Sequence, residues 1–119
     1  MRKAFAHDAV LGMQPHADLQ APGAAITAAL CGHWEHDPPC PLAPYHNSAE
    51  WVGDQVRVRT LFAAEPGDEA AARLLIDRAL AAGCLQRQDE TIVRWQLRSS
   101  GRAAVAEAEA EHAARLVRS

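Results

Sequence analysis

Residues 24–34 read AAITAALCGHW, and the secondary structure assigned to them decides how the first third of the chain enters the fold. Ile26, Ala28, Leu30 and Trp34 alternate as strand residues do, while the alanines suit a helix equally well. Pro22-Gly23 just before and Pro38-Pro39 shortly after both punctuate helices, so the stretch is read as a strand. Upstream, AFAHDAVLGM (4–13) fits a first strand or a short helix.

Downstream, DPPCPLAPYHNSAEW (37–51) packs four prolines into seven residues, which removes amide donors and fixes backbone angles. It is read as a well-defined loop or a site. Val52-Gly53-Asp54 is a turn, and VRVRTLF (56–62) then alternates as a strand. Val56, Val58, Thr60 and Phe62 lie on one face, with Arg57 and Arg59 on a wet one.

In EPGDEAAARLLIDRALAAGC (65–84), Pro66-Gly67 breaks the strand, Asp68 suits an N-cap and Gly83 a helix stop. Ala72, Leu75, Ile76, Ala79 and Leu80 form the apolar stripe, and Glu69, Arg73 and Asp77 follow at four-residue spacing on the predicted wet side. TIVRWQLRS (91–99) returns to period two, with Val93, Trp95 and Leu97 inward and Arg94, Gln96 and Arg98 outward. A last helix is expected over about 102–117; its alanine face buries little, so it docks loosely or supports an oligomer.

These elements predict a single α+β domain over 1–119, a small antiparallel sheet with helices on one face. Should PHADLQAPG (15–23) hide a helical turn, the layout approaches a ferredoxin-like arrangement, whose sheets often pair into homodimers.

Composition narrows the partners. A net charge of -3 disfavours nucleic acid and anionic lipid, since sequence-independent binding to either rests on positive charge. No run reaches the roughly 20 apolar residues of a membrane span, and the N-terminus lacks the apolar stretch of a signal peptide, so a cytoplasmic location is expected. Cys31, Cys40 and Cys84 cannot all pair within one chain and are read as thiols.

The densest chemistry lies in CGHWEHDPPCPLAPYH (31–46). Thiolate and imidazole together suit zinc, and Cys31, His33, His36, Cys40 and His46 offer five donors for four places. On a strand, Cys31 and His33 project to one face, and the prolines around Cys40 hold a second ligand loop. The spacing matches no zinc-finger pattern. Against the metal stands a plain alternative: a buried Cys31, a rigid loop and surface histidines.

The same stretch also reads as a small-molecule pocket, lined by Trp34 and Tyr45 and with Glu35 as a candidate general base beside the histidines. Whether the protein is an enzyme stays open on this reading.

From Asp68 onward the chain resembles the second half of a winged-helix DNA-binding domain: a helix ending in glycine, a two-stranded wing and a GRA segment opening the next helix. The resemblance implies that AARLLIDRALAAG (71–83) enters the major groove and CLQRQDETIVRWQLR (84–98) forms the wing. Acidic residues on that helix and at Asp89-Glu90, and a strand at 56–62 where the family has a helix, depart from the pattern. The leading expectation is therefore a zinc-binding α+β protein, and the partners considered are a small molecule and a second copy of the chain.

Overall fold

The computed structural model describes residues 1–31, 45–87 and 89–118. It is an α+β structure. Strands β1 (Lys3–Met13), β2 (Tyr45–Val52), β3 (Gln55–Ala64), β4 (Cys84–Gln86) and β5 (Ile92–Ala103) form one antiparallel sheet in the order β2-β3-β1-β5-β4. Helices α1 (Gln20–Cys31), α2 (Glu69–Ala81) and α3 (Ala110–Arg118) join them. No described helix is long and apolar enough to cross a membrane.

The strand expected at 24–34 is a helix as far as Cys31. Pro22 sits in its first turn, where an amide has no intrahelical partner to lose, so the proline opens the helix. Asp18 supports that start, its Oδ1 accepting from the Gln20 amide at 2.8 Å. Gly23 lets α1 approach β2: a Cβ there would stand 3.3 Å from that of Asn47. Asn47 donates to Gly23 O at 3.1 Å and accepts from Thr60 Oγ1 at 2.8 Å, so a polar chain crosses from helix to β3. The loop expected over 37–51 likewise gives way at Tyr45, where β2 begins.

Alternation in β1 and β3 splits the sheet into two faces. Ala9, Leu11, Val56, Val58 and Phe62 pack with Ile26 and Leu30 of α1 and Ile76 and Leu80 of α2. Trp95 joins them, its Nε1 donating to Leu80 O at 2.8 Å, while Gly83, at φ 72°, stops α2 and passes its carbonyl to the Trp95 amide. Asp68 takes the N-cap position of α2 without a side-chain capping bond.

The expectation of helices on one face alone fails, because α3 covers the other. It begins at Ala110, since β5 runs on to Ala103 and a short 3-10 turn, Glu107–Glu109, follows. Ala113 lies buried with Ala6, Leu61 and Ala63, the residues alternate to those of the main core. Small alanine surfaces bury little area, and a polar clamp makes up the difference. Arg59 on β3 donates to Glu109 through Nε at 2.9 Å and Nη2 at 2.7 Å, to Asp8 at 2.8 Å and to the Ala104 carbonyl at 2.5 Å. The supposedly wet face of β3 is thus partly an anchor for α3.

The Arg59 guanidinium holds the Glu109 carboxyl down to about 2, with the Ala106 amide and nearby His112 adding to the effect. Glu109 and Asp8 in turn raise Arg59 above its ordinary value. A depressed carboxyl stabilises the fold above its unfolded value and loses that effect as pH falls. We expect α3 docking to weaken from about pH 4.5 toward pH 2, by about 1–2 kcal/mol after solvent screening. Hydrogen exchange of the 110–118 amides checks this, and Glu109→Gln should remove most of the pH dependence.

Candidate functional site

Of the residues expected to hold zinc, only Cys31 and His46 are among the described residues, and they stand on different elements. His33, Trp34, Glu35, His36 and Cys40 lie outside the described residues. Cys31 closes a helix, which removes the strand alternation that paired it with His33. Tyr45 and His46 are consecutive on β2 and so take opposite faces. Tyr45 packs against the main core beside Phe62, whereas His46 meets His112 of α3 with ring centroids 4.6 Å apart. Helix α1, ending at Cys31, belongs to the face that His46 leaves.

Among the described residues no group of three or more His, Cys, Asp or Glu stands close enough to hold a metal. The zinc reading is overturned on that ground. Of the expected aromatic pocket, Trp34 and Glu35 lie outside the described residues and Tyr45 packs against the main core.

The winged-helix reading also fails. Helix α2 buries Ala72, Ile76 and Leu80 against the sheet, residues 56–62 are strand, and β5, the supposed wing, lies between β1 and β4.

Two polar sites emerge instead, and one irregularity contributes a residue to each. Along β1 and β5, Leu11 faces Leu97 but Val10 faces Ser99, so Arg98 is an extra residue, a β-bulge. Before it, even-numbered residues of β5 share the α3 face. After it, Ser100 and Arg102 come round to the α2 face, opposite Ala9 and His7.

On the α2 face, His7 is 3% exposed and fully bonded. Its Nε2 lies 2.9 Å from Asp77 Oδ1 and 2.7 Å from Ser100 Oγ, and Arg73 Nη1 lies 2.9 Å from its Nδ1. Ser100 also donates to Asp77. Arg73 donates to Glu69 at 2.8 Å and to the Ala6 carbonyl at 2.7 Å, and stands over the Phe62 ring. Arg102 reaches Glu69 at 2.7 Å. Glu69 is accordingly held below its usual carboxyl value by Arg73 first and Arg102 second. The triplet read as the wet side of α2 thus turns to the sheet.

Serine, histidine and aspartate meet here in the wrong order for nucleophilic catalysis. A guanidinium only donates, so Arg73 must donate to Nδ1, and the ring proton of His7 sits on Nε2. A catalytic imidazole needs that Nε2 lone pair to take the serine proton, with its Nδ1–H held by the carboxylate. His7 offers neither, and the cluster instead locks α2 to β1 and β5. We expect His7→Ala to destabilise the fold by about 2–4 kcal/mol, since Arg73 and Asp77 each lose a partner in a largely buried setting. Asp77, at 44% side-chain exposure, should cost about 1 kcal/mol or less as Asp77→Asn. Urea denaturation compares them.

The second site is a groove of about 1000 Å³ where the C-terminal end of β1, the β2–β3 turn, the end of α2 and the start of β5 meet. Arg94, Arg98 and three glutamines, Gln14, Gln55 and Gln96, line it, with Asp54 at the turn. The alternation at 91–99 had marked Arg94, Gln96 and Arg98 as outward; the bulge and the closeness of Gly12 carried no recognisable sequence signal.

No protein-family model, no curated protein and no solved structure matches the chain.

Proposed function

We propose that this protein is a small-molecule-binding domain that takes its ligand in the groove between β1, β5 and the end of α2. The observation that carries this reading is the groove itself. Its volume of about 1000 Å³ suits a metabolite-sized ligand, and its polar side chains come from three separate places on the sheet, the end of β1, the β2–β3 turn and the start of β5. Gln14, Gln55 and Gln96 offer both donors and acceptors, which favours orienting a ligand over merely enclosing it.

The fold behind the site is read as ferredoxin-like. Helix α1 carries the chain from β1 to β2 past β3, and α2 carries it from β3 toward β5 past β1, with the short β4 added at the far edge. Both crossovers pack on one face, which is the layout such a fold needs.

Ligand-observed NMR with a library of metabolite-sized compounds tests the reading. Hits should shift the amides of residues 12–14, 54–55, 81–83 and 94–98 together. Hits that shift only residues outside this set, or none at all, refute it.

A second reading, a homodimer, is favoured by the outer edge of β2, which no described strand pairs and which carries exposed Trp51 and Val52. Light scattering should then report a dimer that Trp51→Lys converts to a monomer. A wild-type monomer across the accessible concentration range removes this reading.

A further inference from the structure

We infer that the groove receives an anionic group, a phosphate or a carboxylate, between Arg94 and Arg98; this deepens the proposed ligand site and rests on it. Six other arginines, Arg57, Arg59, Arg73, Arg87, Arg102 and Arg115, each have a carboxylate partner, whereas Arg78 and Arg118, which do not line the groove, have none among the described residues. Arg94 and Arg98 have none among the described residues, although Asp54 lines the same groove.

Their placement brings them together. Four strand positions separate their Cα atoms by roughly 13 Å. Arg98, however, is the bulge residue, and its side chain leans back along β5 to lie over Gly12, which pairs with Gln96. A Cβ on Gly12 would stand 3.0 Å from Arg98 Nη2 and 3.1 Å from Nε, so the bare glycine is what lets the guanidinium settle there. The lean shortens the gap by about two strand positions, or roughly 7 Å, which a second arginine side chain spans easily.

Two exposed guanidinia on one groove place positive charge side by side and offer their N–H forks only to water. An oxyanion answers both conditions, through charge and through the planar fork of N–H donors that matches a phosphate or carboxylate. A cationic ligand would meet the same pair with repulsion. Gln96, paired opposite Gly12, lies between the two arginines and can bond the ligand's neighbouring atoms.

The test uses the full chain, labelled to observe backbone amides and arginine Nε–H groups, with phenyl phosphate, benzoate and neutral benzamide as probes. We expect phenyl phosphate or benzoate to shift the Gly12 amide and the Arg98 Nε–H saturably, and benzamide to bind about tenfold more weakly or worse. The stronger of the two anions identifies the group. Arg98→Gln and Arg94→Gln should each weaken anion binding about tenfold, and Gly12→Ala should weaken it several-fold by displacing the guanidinium. Unchanged amide spectra elsewhere show that each variant is folded, and Arg94→Lys, which keeps the charge, should restore part of the affinity.

Should benzamide bind the groove as well as the anions do, or both arginine variants bind them like wild type, the anion inference falls while the groove reading stands. If no probe shifts a groove residue, the inference falls, and the compound library then decides the groove reading by itself.

Discussion

One extra residue in β5 sets the phase of everything after it. Had the strand kept its period of two past Leu97, Ser100 and Arg102 would sit on the α3 face, away from α2. His7, a polar ring in the interior, would then lose Ser100, and Glu69 would lose Arg102. With Arg98 bulged out, the strand delivers its first half to the groove and its second half to the interior cluster. The bulge therefore both completes a structural lock and places a guanidinium over Gly12.

The two sites differ in their satisfaction. Around His7 every polar atom meets a partner, and among the described residues no buried side-chain nitrogen or oxygen lacks one. Such closure costs little and transmits strain, which suits a lock between helix and sheet. Around Gly12 the arginines face outward with no carboxylate partner among the described residues, although Asp54 lines the same groove, which suits a ligand. The Arg59 clamp follows the first pattern: Glu109 and Asp8 neutralise it, and the helix it holds contributes only one buried side chain, Ala113.

Much of the fold was legible locally. The alternation of Val56, Val58, Thr60 and Phe62 and the punctuation of α2 by Pro66 and Gly83 identified β3 and α2, because each signal acts within a few residues. Residues 24–31 misled, since Pro22 looks like a helix breaker until it is known to sit in a first turn. Glu69, Arg73 and Asp77 misled for a different reason. Their charge suggested solvent, and only partners distant in sequence, His7 for Arg73 and Asp77, and Arg102 for Glu69, turn them toward the sheet. The zinc expectation rested on donor density along the chain, whereas coordination needs convergence in space, and among the described residues no three His, Cys, Asp or Glu converge.

By itself the sequence determined the class: an α+β chain whose apolar periodicities demand strands and an amphipathic helix between them. Tertiary structure alone decided which polar residues share a site. A bulge is an offset between two strands and does not exist in either one alone, so no spacing within 91–103 could reveal that Arg98 leans over Gly12 while Ser100 reaches His7. Those pairings arise from register, and register is fixed only when the strands meet.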